Sequence, residues 1–189
     1  MTEIVLFHHA QGLTDGVLAF AEQLRQAGHT VHTPDQYEGN TYATLEEGIG
    51  YAQETGFGTL LERALKAAEG YPSEVVYAGF SLGVMPAQQL TQTRPGARGG
   101  LFYYSVLPYT EFGETWPQGV PAQIHAKEED EFYLEDAEGA QQLIAATDDV
   151  ELFLYPGKEH LFADSSLPSY DEAAAQLLLT RSLTFLERL

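Results

Sequence analysis

The segment Val75-Val76-Tyr77-Ala78-Gly79-Phe80-Ser81-Leu82-Gly83 joins an apolar run to a Gly-x-Ser-x-Gly motif. The apolar run predicts a buried strand, and the residues from 82 to 93 have the pattern of a helix. A strand–turn–helix sequence of this kind is typical of a nucleophile elbow, where a serine sits on a strained turn. The glycines on either side let strand and helix pack closely around it. The segment therefore predicts that Ser81 is a catalytic nucleophile.

The rest of the chain alternates short apolar runs with longer helical patterns. The predicted strands are Ile4–Phe7, Thr30–Thr33, Val75–Phe80, Leu101–Tyr104, Ala122–Ala126 and Glu151–Tyr155, and the predicted helices span about 14–27, 59–69, 82–93, 135–146 and 170–188. The strands are too apolar to have one wet face, as in a parallel sheet covered on both sides. This alternation predicts one α/β domain over residues 1–189, with a compact, doubly wound, mostly parallel sheet of about six strands and helices on both faces.

Two local predictions concern the ends and gaps of these elements. Ser169 and Glu172 have the spacing of a capping box at the start of the last helix. The segment Glu38–Gly58, rich in Gly, Thr and Tyr, is the least regular part of the chain. We expect it to be either a loop that borders the site or a long surface connection.

The composition is strongly acidic, with a formal net charge of −19 over 189 residues. Such a surface repels phosphate backbones and anionic headgroups, so we expect no nucleic-acid partner and no membrane partner. No apolar run approaches the roughly 20 residues that cross a bilayer, and no signal-peptide pattern is visible. The lack of cysteine excludes disulfides and thiolate metal sites. A cytoplasmic monomer or homodimer is the expected state.

A serine nucleophile needs a base and an acidic group that orients the base. In parallel sheets with a nucleophile elbow of this kind, the expected chain order of the three residues is Ser, then Asp or Glu, then His, each after its own strand. His160 follows the predicted strand Glu151–Tyr155, and Asp130 follows Ala122–Ala126 at a similar distance. We therefore predict His160 as the base and Asp130 as the acid. Because residues 128–131 are all acidic, Glu129 is the alternative acid.

Four segments give the chain a resemblance to a known family. They are Phe7–Thr14 (FHHAQGLT), the Ser81 motif, Asp130–Phe132 (DEF) and Tyr155–Asp164 (YPGKEHLFAD). In these segments the chain resembles the dienelactone hydrolase family, in its small bacterial branch. The resemblance implies an α/β-hydrolase fold and carries the family's triad onto Ser81, Asp130 and His160. It also implies an oxyanion hole formed by the backbone N–H groups of Ala10 and Leu82.

Three positions depart from the family pattern. Ser81 stands where dienelactone hydrolases typically have cysteine, so a serine enzyme is predicted. His9 stands where the family has a glutamate that regulates the thiol, and a serine has no thiolate to regulate. Asp164 stands where the family has an arginine for the substrate carboxylate. An aspartate at this position is expected to repel an anionic dienelactone.

The remaining polar and aromatic residues near strand ends are candidates for the substrate pocket. They are His9, Gln11, Tyr104 and Trp116. The adjacent His8 and His9 point to opposite faces of a strand end, so we expect no metal site there. No phosphate-binding loop or dinucleotide fingerprint occurs, and we expect no cofactor.

These features favour a hydrolase that acts on small carboxylic esters or lactones through an acyl-enzyme. The alternative is a non-catalytic small-molecule binding protein on the α/β-hydrolase fold. A flavodoxin-like nucleotide binder is a third interpretation, but it requires phosphate-binding loops after the strands, which this acidic chain does not have.

Overall fold

The computed structural model describes all residues, from Met1 to Leu189. The structure contains six strands and six α-helices. The strands are β1 (Glu3–Phe7), β2 (Thr30–His32), β3 (Val76–Phe80), β4 (Gly99–Tyr103), β5 (Ala122–Lys127) and β6 (Val150–Tyr155). The helices are α1 (Asp15–Gln26), α2 (Leu45–Thr55), α3 (Phe57–Ala68), α4 (Val84–Thr93), α5 (Glu131–Ala146) and α6 (Glu172–Glu187).

All six strands form one sheet in the order β2-β1-β3-β4-β5-β6, and every neighbouring pair is parallel. The predicted α/β fold and the six-stranded sheet are thus confirmed, and the sheet is wholly rather than mostly parallel. The order reverses between β1 and β3, which lie side by side at the centre. Ligands of such sheets bind beyond the carboxyl ends of the strands at this reversal. The fold therefore predicts a ligand site at the loops after β1 and β3.

The sheet separates two apolar cores. One lies against α1 and α6, and the other lies against α3, α4 and α5. Because side chains alternate along a strand, Ile4 and Leu6 of β1 enter the first core and Val5 and Phe7 enter the second. All residues of β3, β4 and β5 are buried, as expected for central strands covered on both faces. This packing fixes the strand ends that carry the candidate site.

The main correction to the predicted elements is helix α2, which occupies the segment expected to be irregular. A capping box starts it, since Thr44 accepts the N–H of Glu47 and the Glu47 carboxylate accepts the N–H of Thr44. Glycine weakens helix propensity, and Gly48 and Gly50 obscure the helical pattern. Gly48 is required by packing, because a Cβ there would lie 2.1 Å from the carbonyl oxygen of Ala10. Gly48 therefore weakens the helical pattern in the sequence, but it also allows α2 to pack closely on the loop after β1.

Two helix starts also differ from expectation. The residue that caps α6 is Asp171, whose side chain accepts the N–H of Ala174, so the predicted capping box of Ser169 and Glu172 is wrong. Helix α5 begins at Glu131 rather than near residue 135, because Asp130 caps it. No helix combines the length and apolar character needed to span a membrane.

Candidate active site

The turn after β3 holds Ser81 in a strained conformation. Its φ of 50° lies in the left-handed region that residues with a Cβ rarely adopt. The two motif glycines make the turn possible. A Cβ at Gly79 would lie 2.1 Å from the Gly83 carbonyl oxygen, and one at Gly83 would lie 2.5 Å from that of Phe7. The backbone therefore packs too tightly for side chains at these positions, and the serine projects from the turn.

Three side chains from separate loops meet at this turn. The Ser81 hydroxyl lies 2.8 Å from Nε2 of His160, and Nδ1 of His160 lies 2.6 Å from Oδ2 of Asp130. If Nδ1 carries the proton and donates a hydrogen bond to Asp130, Nε2 is free to accept the serine proton. Glu129, the alternative acid, is exposed and forms no hydrogen bond or ion pair with the imidazole. The geometry brings together the three residues that the sequence assigned to the triad.

Asp130 has two tasks that fix its carboxylate. It is the N-cap of α5, where Oδ1 accepts the N–H of Phe132 at 3.1 Å. The other oxygen faces His160, and the side chain is only 1% exposed. The Phe132 ring packs on the imidazole with ring centroids 4.5 Å apart. The Asp130 carboxylate is thus positioned by backbone geometry as well as by the histidine.

The loop that carries His160 is held by polar contacts on both sides. Before the histidine, the buried ammonium of Lys127 donates to Glu159 at 2.6 Å and to Asp171 at 2.7 Å. After it, the N–H of Ala163 donates to the Tyr104 hydroxyl at 2.9 Å. Groups fixed before substrate arrives need no reorganisation during a reaction. The imidazole therefore sits on a preorganised loop.

The candidate oxyanion donors also lie beside Ser81. Ala10 and Leu82 both line the cavity next to the serine. The backbone N–H of Ala10 donates to no acceptor within the protein. The carbonyl of the same peptide group, that of His9, accepts the N–H of Gly12 at 3.0 Å, which fixes the direction of this peptide. An amide held in this way suits stabilisation of a developing oxyanion.

A cavity of about 330 Å³ opens next to Ser81. Most of its lining is apolar. The lining residues are Ala10, Leu45, Ile49, Ala52, Phe57, Ser81, Leu82, Met85, Ser105, Leu107, Phe132, Glu135 and Asp136. Those from α2, α3 and α5 were not predicted from the sequence. The sequence signal for these lining residues is the helical spacing of apolar residues in 45–57, which two glycines weaken.

None of the four residues proposed from sequence as pocket residues lines this cavity. His9 is fully buried behind the loop after β1, and Gln11 donates its side-chain amide to the carbonyls of Tyr42 and Ala43. Tyr104 is buried against the edge of the His160 ring, with ring centroids 5.5 Å apart. Trp116 packs on Phe102 in the second core and donates its indole N–H to Val120. Their side chains serve packing and loop anchoring, so their assignment to the pocket is corrected.

Asp164 does not face the cavity either. It is 3% exposed, and its Oδ2 lies 2.7 Å from Nε2 of His9. Its carboxylate also accepts the hydroxyls of Thr14 and Ser166. Burial alone would raise the pKa of Asp164, but the hydrogen bonds from these three side chains outweigh burial and lower the pKa. The expectation that this aspartate repels an anionic substrate directly is therefore wrong.

Comparisons with known proteins agree with this architecture. The chain is similar in structure to a dienelactone hydrolase-like promiscuous phosphotriesterase from metagenomic libraries, with 20% identity, a TM-score of 0.78, and coverage of 100% of this chain and 87% of the other. It is similar to the dienelactone hydrolase of Anabaena variabilis, with 18% identity, a TM-score of 0.66, and coverage of 99% and 86%. Esterase 2 of Thermogutta terrifontis, phosphonylated by cyclosarin, has 16% identity, a TM-score of 0.69, and coverage of 99% and 82%.

These structural likenesses establish the α/β-hydrolase fold. Among curated proteins, none matches the chain in sequence. The sequence profile of the dienelactone hydrolase family, however, matches residues 1–189. By this match over its whole length, the chain belongs to the dienelactone hydrolase family, a family of hydrolases.

Proposed function

We propose that the protein is a serine hydrolase that cleaves small carboxylic esters or lactones through an acyl-enzyme. One observation carries the proposal: the hydrogen-bonded series Ser81–His160–Asp130, with separations of 2.8 and 2.6 Å. The three residues come from loops that follow β3, β5 and β6. A serine joined to an oriented imidazole is an activated nucleophile for acyl transfer.

In the first half of the reaction, Ser81 Oγ attacks the acyl carbon while its proton moves to Nε2 of His160. The carbonyl oxygen takes up the electron pair and accepts hydrogen bonds from the amides of Ala10 and Leu82. When the tetrahedral intermediate collapses, the bond to the alcohol oxygen breaks and His160 returns the proton to that oxygen. An ester thereby releases an alcohol, whereas an opened lactone keeps its alcohol on the bound acyl group.

In the second half, water attacks the acyl carbon and gives a proton to His160. The second tetrahedral intermediate then expels Ser81 Oγ, which recovers the proton from the imidazole. Asp130 stays ionised throughout, holds the tautomer with Nδ1 protonated and stabilises the imidazolium. The cavity beside Ser81 offers room for a small substrate and apolar surface for its acyl or alcohol portion.

Covalent labelling with a fluorophosphonate tests the nucleophile. Phosphonylation of the related esterase supports the choice of an organophosphorus probe. We expect labelling of the wild type and none of Ser81→Ala, with p-nitrophenyl acetate hydrolysis lost in parallel. Circular dichroism of both proteins controls for folding. Equal labelling of the two proteins would overturn the proposal.

The alternative, a non-catalytic binding protein with the same fold, makes a different prediction. Such a protein does not turn over p-nitrophenyl acetate above the background that a folded His160→Gln variant gives. The hydrolase instead shows turnover in the wild type and near-background rates in His160→Gln. The strained serine and the fixed imidazole favour the hydrolase, since a simple binding pocket needs neither.

A further inference from the structure

The cavity beside Ser81 has an uneven charge distribution. Its only charged lining residues are Glu135 and Asp136, both on α5, and no lysine or arginine lines it. The remaining wall is mostly apolar. Apolar walls exclude water and lengthen the reach of electrostatic attraction and repulsion. A charge on the substrate is therefore felt more strongly here than on an open surface.

Asp136 is the better placed of the two carboxylates. Its Oδ2 accepts the Ser105 hydroxyl at 2.6 Å and the N–H of Val106 at 3.2 Å, whereas its Oδ1 has no hydrogen-bond partner in the protein. The side chain is half-buried, and burial raises its pKa despite these two hydrogen bonds. Its negative charge is thus incompletely compensated by the protein. A cationic group in the cavity would supply what the protein does not.

Two aromatic rings add a second kind of attraction for cations. Phe57 and Phe132 line the same cavity and remain 46% and 40% exposed. Ring faces attract ammonium groups, and the attraction grows when water is excluded. Such rings do not attract carboxylates. The aromatic and acidic groups therefore favour the same class of substrate.

The surroundings of the cavity do not reverse this preference. The groove beside His160 carries Glu129, Glu131 and Glu159 against a single cation, Lys158. Lys158 is exposed, outside the cavity lining. Over the whole chain the net charge is −19. An anionic substrate is repelled during approach as well as in the site.

We infer that the cavity selects substrates by charge, favouring esters that carry an ammonium group over neutral isosteres, and neutral isosteres over carboxylates. Asp136, with Glu135, is the specificity-determining residue. This inference rests on the proposed hydrolase function, because it concerns the substrate of the same serine. It reverses the preference implied by an arginine at position 164, and it locates the selection on α5 rather than at Asp164.

Two matched substrate series test the order, one with the charge in the alcohol and one with the charge in the acyl group. The first contains the butyrate esters of choline, 3,3-dimethylbutanol and 3-hydroxypropanoate. The second contains the ethyl esters of 4-(trimethylammonio)butanoate and 5,5-dimethylhexanoate and the monoethyl ester of glutarate. We expect kcat/KM to be about tenfold higher for the cation than for its neutral isostere in at least one series, and lowest for the anion.

Variants on one helix assign the effect. Asp136→Asn is expected to bring the cation-to-neutral ratio close to one, and Glu135→Gln to lower it less. Glu138→Gln removes the same charge from an exposed site on α5 outside the cavity and is expected to leave the ratio unchanged. Using a ratio of two substrates cancels general losses of activity. If Asp136→Asn does not fold, Glu135→Gln and the wild-type series still decide the matter.

The outcomes separate the two proposals. Hydrolysis of the neutral esters without preference for the cation in either series overturns the inference and leaves the hydrolase intact. A preference that is unchanged in both Asp136→Asn and Glu135→Gln also overturns it. If the wild type hydrolyses none of the esters and no p-nitrophenyl acetate, the hydrolase proposal fails and the inference fails with it.

Discussion

The molecule contains two His–Asp pairs of nearly equal length that differ in their surroundings. In the first, His160 and Asp130 are 2.6 Å apart, and in the second, His9 and Asp164 are 2.7 Å apart. In the first pair the far nitrogen, Nε2, faces the hydroxyl of Ser81. In the second pair the far nitrogen, Nδ1, accepts the backbone N–H of Gln11. Only the first imidazole retains a nitrogen for chemistry.

The difference shows that the partner of the second nitrogen decides the role of a His–Asp pair. His9 is fully buried, and burial lowers its pKa despite the nearby carboxylate of Asp164. The pair joins the loop after β1 to the loop after β6, and these loops carry Ala10 and His160. We therefore call it the enclosed pair and expect it to stabilise the fold. The pair of His160 and Asp130, for which we propose a catalytic role, we call the open pair.

Replacing each of the two histidines by glutamine gives the largest expected contrast between the pairs. His160→Gln removes the proposed general base and is expected to lower kcat for p-nitrophenyl acetate by about 10⁴-fold or more, with little change in unfolding free energy. His9→Gln is expected to do the reverse, with a large loss of stability and at most a modest loss of kcat. Steady-state kinetics and urea unfolding of both variants measure the contrast. Equal losses of kcat in the two variants would contradict it.

The acids of the two pairs sharpen the comparison. Asp130→Asn keeps an oxygen that can cap α5, but it removes the charge that orients His160. We expect kcat to fall by up to about 10⁴-fold and the unfolding free energy to change by less than about 1 kcal/mol. A Glu129→Gln variant is the matched control, since it removes an adjacent exposed charge. A larger loss of kcat in Glu129→Gln than in Asp130→Asn would reassign the acid.

The open pair could be predicted from the sequence, whereas the enclosed pair could not. Ser81 lies in a local motif, and strand order places Asp130 and His160 on neighbouring loops. The contact between His9 and Asp164 joins positions 155 residues apart and has no local signal. Family resemblance pointed to both positions but suggested a substrate-facing role for Asp164. Side-chain direction, which the sequence does not encode locally, decided otherwise.

The cavity was also beyond the sequence, for a related reason. Its walls come from α2, α3, α4 and α5, so its shape depends on how separate helices pack. Trp116 was a reasonable pocket candidate because it follows β4 and is large. Its indole N–H finds a local acceptor in Val120, which directs the ring into the second core. Apolar residues predicted burial correctly but not which buried space they fill.

The acid of the enclosed pair gives the next largest effect, on stability. Asp164 accepts hydrogen bonds from His9, Thr14 and Ser166, and asparagine offers only one oxygen for them. We expect Asp164→Asn to lower the unfolding free energy by about 2–4 kcal/mol, because buried donors lose their acceptor. Asp148→Asn, at an exposed position, is the control and is expected to change it by less than about 0.5 kcal/mol. Urea unfolding at pH 7.5 measures both, and similar values for the two variants would contradict the structural role.

The smallest expected effect is a pH dependence of stability. Burial lowers the pKa of His9, and burial together with Arg181 lowers the pKa of His125 to about 3. Below the unfolded pKa of about 6.5 the unfolded chain therefore binds more protons than the folded protein, and stability falls as the pH falls. Between pH 6.5 and 5.5 His125 is expected to remove about 1 kcal/mol of unfolding free energy, and His9, whose pKa is also lowered, is expected to reduce stability further in the same direction. Urea unfolding at pH 7.5, 6.5 and 5.5 measures the slope.

The change of unfolding free energy with pH, rather than its value at one pH, tests whether His9 in the enclosed pair is uncharged. His9→Gln and His125→Gln each remove one titrating ring, so each is expected to show a shallower slope than the wild type by up to one proton. The lowered pKa of Asp164 acts in the same direction but only at lower pH, since an ordinary carboxyl titrates near pH 4. An unchanged slope in His9→Gln would mean that the folded protein binds a proton at His9 as readily as the unfolded chain does. The enclosed pair would then be an ion pair that titrates like an exposed histidine, and enclosure would no longer distinguish it from the open pair.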